Sequence, residues 1–134
     1  MDYMKLAIDE AKKAEKNGEV PIGAVIVRGD KVISKAHNMR EKKRNALAHA
    51  EVLAIDKACR RRKSWRLDDC VMYVTLEPCQ MCMGAALNAR LKKVVCGAKS
   101  ETDLNWKNDV EFDMRAECSQ ILKDYFKGKR SKEK

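Results

Sequence analysis

The spacing of apolar side chains along the first half of the chain predicts helices that alternate with short strands. Between residues 3 and 17, apolar positions recur every three or four residues, as on one face of an amphipathic helix. Two β-branched runs at 24–28 and 31–37 surround the turn sequence RGD and predict a hairpin. A further helical periodicity over residues 45–61 predicts a long helix, with Asn45 as its N-cap.

The second half of the chain predicts a parallel crossover. The expected elements are strands at 70–75, 92–98 and 110–112 and helices at 79–89 and 116–129. Strand, helix and strand in succession imply two parallel strands in one sheet. We therefore expect one α/β domain over residues 1–127, a three-layer α/β/α sandwich with a central mixed sheet of about five strands. A basic tail at 128–134 is expected to follow it.

The composition limits the class of protein. The 134 residues suffice for one buried core, and no apolar run approaches the ~18 residues of a membrane span. The start of the chain alternates charged and apolar residues and lacks the hydrophobic region of a secretory signal. We expect a cytoplasmic protein without membrane association, whose six cysteines are mostly reduced thiols.

Clustered positive charge indicates a polyphosphate partner. The formal net charge is +9, and many of the cations fall in the sequences REKKR (40–44), CRRRKSWR (59–66) and KGKRSKEK (127–134). Such clusters attract nucleic acid, although a basic solvated surface is an equal alternative from charge alone. The ring of Trp65, among these arginines, could add a stacking surface, but packing is the more common role of a tryptophan.

Two cysteines, three positions apart, follow a predicted strand in the sequence TLEPCQMCMG. Cys79 and Cys82 could form a disulfide, a redox couple, half of a structural zinc site or half of a catalytic metal site. His49 lies near the start of the preceding long helix, and both helices are expected to leave the same edge of the sheet. Because helix N-termini favour thiolates, ligands at two adjacent helix starts would form a metal site with one open position.

One carboxylate lies close to these ligands in sequence. Glu51 could reach a water molecule at the open position without binding the metal, and a carboxylate there can transfer protons. The order H-A-E, 26 residues (positions 52 to 77), then P-C-x-x-C matches the pattern of zinc-dependent nucleobase deaminases. A structural zinc would need a fourth protein ligand, for which the candidates are His37, Cys70 and Cys96, none with ligand-like spacing.

Three segments resemble the bacterial tRNA-specific adenosine deaminases: EVPIGAVIV (19–27), HAE (49–51) and YVTLEPCQMCMGAALNARLKKVVCGAK (73–99). The resemblance covers nearly the whole chain. It implies the cytidine-deaminase fold, a homodimer, one Zn²⁺ per subunit, and conversion of the wobble adenosine of a tRNA anticodon to inosine.

The resemblance also implies roles for individual residues. By matching motifs, the zinc ligands are His49, Cys79 and Cys82, and Glu51 is the proton shuttle. The implied base-pocket residues are Asn38, Val20, Ala50 and Leu76. The terminal helix of the family meets the anticodon stem-loop, which makes Tyr125, Phe126, Lys129 and Arg130 candidate RNA contacts.

The chain departs from the family pattern after Lys99. Ser100 stands where the family carries an acidic residue, and only residues 100–109 separate Lys99 from the last strand, so that a Gly-rich stretch and a helix are missing. That segment lies beside the substrate in the family, near its ribose contact. The departure therefore bears on the choice between RNA and DNA, whereas every catalytic position is present.

Other classes of function remain open from the sequence. The nearest is a deaminase of free bases or nucleotides, which shares the H-x-E and P-C-x-x-C pattern. A non-catalytic, zinc-stabilised RNA-binding module would not need Glu51 or Asn38. A thiol redox protein would leave both His49 and Glu51 unexplained.

Overall fold

The computed structural model describes residues 1–102 and 110–132, with side chains as far as residue 129. Its helices are α1 (Tyr3–Lys16), α2 (Arg40–Lys43), α3 (Ala50–Arg62), α4 (Gln80–Asn88) and α5 (Ala116–Lys132). Its strands are β1 (Gly23–Arg28), β2 (Lys31–His37), β3 (Cys70–Val74), β4 (Lys93–Cys96) and β5 (Val110–Phe112). Among these described residues, no helix is long and apolar enough to cross a membrane.

The five strands form one mixed sheet in the order β2-β1-β3-β4-β5. Strand β1 is antiparallel to both of its neighbours, whereas β3, β4 and β5 are parallel to one another. The parallel pairing of β3 with β4 is the crossover expected around α4. The predicted fold class, an α/β domain with a mixed sheet of about five strands, is therefore confirmed.

The sheet carries an apolar core on each face. One core contains residues of α3 and α4, such as Ala54 and Met83, and the other contains residues of α1 and α5, such as Ile8 and Cys118. The side chains of the central strands alternate between these two cores, since Ile26 belongs to the first and Val25 to the second. Helices thus cover both faces, as in a three-layer sandwich.

Three features of the helices differ from the sequence-based expectation. Helix α3 begins at Ala50, with His49 as its N-cap, rather than directly after Asn45. The Asn45 side chain instead accepts a hydrogen bond from the Leu47 N–H at 2.9 Å, because asparagine readily stabilises local turns. The short helix α2 was not predicted, and α5 continues to Lys132, through much of the expected basic tail.

Gly23 lets α1 lie directly against β1. A Cβ atom at this position would overlap the carbonyl oxygen of Ala7 and the amide nitrogen of Ala11. We expect Gly23→Ala to lower the free energy of unfolding by about 1–3 kcal/mol, because backbone atoms cannot give way as side-chain ends do. Gly84→Ala is the control, since a Cβ there meets nothing within 4 Å. Equal urea midpoints for the two variants would contradict this close packing.

Candidate active site

Three potential metal ligands meet where α3 and α4 begin. His49 is the N-cap of α3, Cys79 is the N-cap of α4, and Cys82 lies in the first turn of α4. The Nδ1 atom of His49 is 3.4 Å from the Cys82 sulfur and 3.8 Å from the Cys79 sulfur. The ligand atoms of all three residues lie within 4.8 Å of one another. One metal ion could therefore contact all three.

The local backbone aims these side chains at one another. His49 and Cys79 both have extended backbone conformations, and neither side chain hydrogen-bonds to the helix that it precedes. Their carbonyl oxygens accept the first helical hydrogen bonds, from Leu53 and Met83 respectively. The two side chains are consequently free to bind a ligand.

The electrostatics of the three residues suit a cation. Burial, followed by the charge of Arg40, lowers the pKa of His49, so that the imidazole is neutral and can act as a ligand. Burial raises the pKa of the Cys82 thiol above its ordinary value. A cation beside the sulfur would offset that burial and stabilise the thiolate. Two thiolates and one imidazole form a donor set typical of zinc sites.

The alternative fourth ligands lie elsewhere. Among the residues that the structure describes, the one group able to hold a metal ion contains His49, Cys79 and Cys82 alone. His37 instead places its Nδ1 atom 3.3 Å from Glu10 Oε1, and the Cys70 sulfur accepts a hydrogen bond from Arg62. The described residues therefore leave the fourth coordination position to water or substrate, as a catalytic site requires.

Glu51 lies in the first turn of α3, beside these ligands. Its side chain is only 4% exposed, and burial raises the pKa of its carboxyl group, an effect that hydrogen bonds from its own backbone N–H and from Cys82 partly offset. Glu51 is not one of the three clustered ligands. A carboxyl group of raised pKa beside a metal site is suited to accept and return a proton near neutral pH.

Asn38 presents a free hydrogen-bond donor near the end of β2. The residue is 5% exposed, and its Oδ1 atom accepts a hydrogen bond from the Arg40 N–H at 2.9 Å. This bond fixes the orientation of the amide. No described residue accepts a hydrogen bond from the Nδ2 atom, which remains available to a ligand.

The other pocket residues implied by the resemblance differ in exposure. Val20 and Leu76 are partly exposed and could contact a ligand directly. Ala50 is buried in the core between the sheet and α3, next in sequence to His49. The contacts of these three residues with a base stay predictions.

The candidate RNA contacts occupy two regions. Ser100 donates its backbone N–H to Glu77 Oε1 at 3.0 Å, and its hydroxyl accepts a hydrogen bond from the Thr102 N–H. On α5, the Lys129 ammonium lies 5.9 Å from the ring centroid of Tyr125, and Phe126 is 45% exposed. The Arg130 side chain and most of the shortened segment, residues 103–109, lie outside the described part of the chain.

Two buried carboxylates around the site were missed by the sequence analysis. Glu19 is 2% exposed and accepts hydrogen bonds from the N–H groups of Glu41 and Lys42, while Glu77 is 6% exposed and holds Ser100. Both carboxylates therefore anchor loops that border the site. The sequence did contain a signal for both carboxylates. Glu19 precedes a valine-proline pair and Glu77 precedes a proline, each in an otherwise apolar segment.

Comparisons with known proteins agree with this geometry. A family model for MafB19-like deaminases matches residues 1–130. The chain is 46% identical to a tRNA-specific adenosine deaminase of Bacillus subtilis (98% of this chain, 91% of that protein) and 41% identical to one of Aquifex aeolicus (93% and 92%). The first alignment spans 147 positions, more than the 134 residues of this chain, so the relative carries residues that this chain lacks.

Solved structures extend the comparison to the fold. One, from a study of A-to-I editing by tRNA:A34 deaminases at the wobble position of transfer RNA, has a TM-score of 0.83 and 34% identity (89% of this chain, 97% of that one). Guanine deaminase from Bacillus subtilis has a TM-score of 0.69 and 37% identity (81% and 69%). Together with the clustered ligands at the two helix starts, these similarities show that the chain belongs to the MafB19-like deaminases and, within them, to the tRNA-specific adenosine deaminase family.

Proposed function

We propose that this chain is a zinc-dependent hydrolytic deaminase that converts adenosine to inosine in RNA, at the wobble position of a tRNA anticodon. The observation that carries the proposal is the group formed by His49, Cys79 and Cys82, with the buried carboxyl group of Glu51 beside it. The tRNA-specific adenosine deaminases to which the chain is 41–46% identical support the choice of substrate.

His49, Cys79 and Cys82 would hold one zinc ion per subunit. Held by three protein ligands, the ion would leave one position for water and would supply the chemistry of lowering that water's pKa from 15.7 towards ~7. The neutral imidazole of His49 and the position of the two cysteines at a helix start both favour this role.

Glu51 would move the protons of the reaction. It would accept one proton from the attacking water and deliver it to the ring nitrogen N1, and the water oxygen would form a bond to C6. Glu51 would then transfer the second proton of that water to the amino group, which leaves as ammonia. The products are inosine and ammonia, and the carboxylate is regenerated.

Asn38 and the surrounding loops would hold the base. The free Nδ2 atom of Asn38 can donate a hydrogen bond to an acceptor on the purine, in an orientation fixed by its bond to Arg40. A base must leave its stack to enter such a pocket, so an unpaired loop nucleotide is a better substrate than a paired one. The aromatic and basic residues of α5, Tyr125, Phe126, Lys129 and Arg130, would contact the stem-loop.

The proposal includes a homodimer that acts on tRNA in the cytoplasm. Two large apolar side chains support a second copy of the chain as partner: Leu47, which precedes α3, is 57% exposed, and Leu87 on α4 is 50% exposed. Contact with a second copy of the chain would remove the apolar surface of both leucines from water.

A second candidate function is the deamination of a free purine base. The 37% identity to guanine deaminase from Bacillus subtilis favours it, since that enzyme shares the fold. The net charge of +9 and the higher identity to the tRNA-specific enzymes favour the RNA substrate.

The substrate can be tested by mass spectrometry of deaminated products. The purified enzyme is given an adenosine-containing anticodon stem-loop, its DNA counterpart, a paired RNA duplex, and a mixture of free bases and nucleotides. We expect inosine chiefly in the RNA loop, because the base there is unpaired and the backbone carries phosphates. Activity on the free bases and nucleotides alone would contradict the RNA substrate and indicate an enzyme of purine salvage.

Ser100→Asp tests the effect of the departure after Lys99. Aspartate can keep the backbone hydrogen bond to Glu77 and adds an acceptor for a ribose 2′-hydroxyl, which DNA lacks. We expect the ratio of RNA to DNA deamination to rise by about tenfold, which corresponds to the free energy of one hydrogen bond to a charged group. Thr102→Asp is the control, because it adds the same charge two residues further on. An unchanged ratio for Ser100→Asp would contradict a role of this position in sugar choice.

A further inference from the structure

The cations of helix α2 form an exposed surface without acidic partners. Arg40, Lys42, Lys43 and the following Arg44 are all exposed, and none of them forms an ion pair with a described carboxylate, including the neighbouring Glu41. The basic cluster after residue 59 differs, because three of its arginines are neutralised. The pairs are Arg60–Asp56, Arg62–Asp69 and Arg66–Asp68.

This cluster lies at the rim of the active site. The Asn38 N–H donates to Ile22 O at 3.1 Å, and the next residue, Met39, donates its N–H to Ala48 O at 3.0 Å. The second bond closes the loop that carries α2 between Asn38, the proposed base contact, and His49, the proposed metal ligand.

The backbone of α2 is held in place before any ligand binds. Both oxygens of the buried Glu19 carboxylate accept hydrogen bonds from α2, at 3.0 Å from the Glu41 N–H and 2.8 Å from the Lys42 N–H. Asn38 accepts the hydrogen bond of the Arg40 N–H. Three consecutive N–H groups are thus satisfied from outside the helix. A surface fixed in this way binds without the cost of ordering a loop.

We propose that this α2 basic surface, Arg40, Lys42, Lys43 and Arg44, binds the phosphate backbone of the single-stranded RNA loop on either side of the target nucleotide. A nucleotide whose base enters the pocket must leave its neighbouring phosphates at the pocket rim. Lysine and arginine side chains bind such phosphates and release counterions from the strand. The inference rests on the proposed RNA substrate, and it adds a surface that is separate from α5.

Two matched triple variants test the surface. Lys42→Gln/Lys43→Gln/Arg44→Gln removes three of its charges, and Lys31→Gln/Lys35→Gln/Lys63→Gln removes three exposed charges without acidic partners elsewhere. Each triple includes one residue of positive φ, Arg44 at 50° and Lys63 at 53°, so that backbone strain is matched. Binding of the stem-loop by the zinc-loaded proteins is measured by fluorescence anisotropy at several salt concentrations, and KM and kcat are measured alongside.

The α2 triple is expected to bind at least about tenfold more weakly at low salt. Its slope of log K against log salt should fall by about 2, because each lost contact to a single strand contributes about 0.7. The change should fall on KM rather than on kcat. The control triple should keep the slope and the affinity of the original protein. Equal losses in both triples, or none in the α2 triple, would overturn the inference.

Failure of this inference is distinguishable from failure of the proposed function. The binding measurement requires no turnover, so it tests the surface even if no inosine forms. If the original protein forms inosine but the α2 triple binds the stem-loop as tightly as before, the RNA-binding role of the surface is wrong and the deaminase function stands. If the α2 triple binds the stem-loop more weakly, as expected, but no substrate yields inosine, the surface binds RNA and the proposed adenosine deaminase activity is wrong.

Discussion

Glu51→Gln is expected to abolish turnover while the metal stays bound. Glutamine has nearly the same shape as glutamate, so the first turn of α3 and the adjacent Cys82 need not move. It cannot accept a proton at neutral pH, and the reaction needs a group that takes protons from water and returns them to N1 and the amine. Loss of a positioned acid-base group costs about 10²–10⁴-fold, so we expect at most about 1% of the original kcat.

The measurement combines inosine formation with zinc content by native mass spectrometry. Glu10→Gln is the matched control, because Glu10 is another buried carboxylate, 5% exposed, that contacts Lys13 and His37 instead of the site. The control should lose stability and keep its turnover. If Glu51→Gln retained a tenth or more of the activity with zinc present, another residue would have to carry the protons.

The stability lost in Glu10→Gln should depend on pH. Burial by itself would raise the pKa of Glu10, but the hydrogen bonds from Lys13 and His37 outweigh it and lower that pKa below its ordinary value. A carboxyl group with a lowered pKa in the folded state stabilises the protein above its unfolded pKa of about 4.3 and loses that contribution as the pH falls. The melting temperatures of the original protein and the control should therefore converge in acid.

Much of the fold and the clustering of His49, Cys79 and Cys82 could be predicted because both depend on periodic or paired signals. Apolar residues at helical spacing and β-branched runs mark the elements that bury a core, and the succession β3-α4-β4 requires a parallel crossover. That topology brings the starts of α3 and α4 together. His49 and Cys79 are 30 positions apart in sequence, yet the sheet places them side by side.

The remainder depends on contacts that the local sequence does not specify by itself. Helix α2 has four polar or charged residues and no apolar face, and it exists because Glu19 and Asn38 satisfy its first N–H groups. The start of α3 was misplaced because Asn45 can cap a helix or stabilise a turn, and tertiary packing selects the turn. The proposed role of Asn38 likewise came from the family resemblance, since a free Nδ2 atom becomes visible only when the amide is oriented in three dimensions.

Cys79→Ala is expected to remove zinc from the protein. Cys79 is partly exposed whereas Cys82 is fully buried, so truncation of Cys79 removes a ligand without opening a cavity in the core. Two remaining ligands cannot hold a tetrahedral ion firmly, and zinc per chain should fall from near one to near zero. Turnover should be lost with it.

The loss of zinc should also lower the melting temperature. An ion present at about a thousand times its Kd stabilises the folded state by about 4 kcal/mol, which corresponds to a shift on the order of 10 °C for a domain of this size. Cys59→Ala is the control, because Cys59 is also partly exposed and its sulfur contacts Trp65 O far from the three ligands. It should keep both zinc and melting temperature.

Chelation of the original protein separates the two causes of instability. If zinc binding accounts for the effect, the chelated original protein and Cys79→Ala should melt at the same temperature, and added zinc should restore only the former. A variant that melts well below the chelated protein would show that the Cys79 side chain stabilises the start of α4 independently of the ion. Full zinc occupancy in Cys79→Ala would refute the ligand set, because His49 and Cys82 alone would then have to suffice.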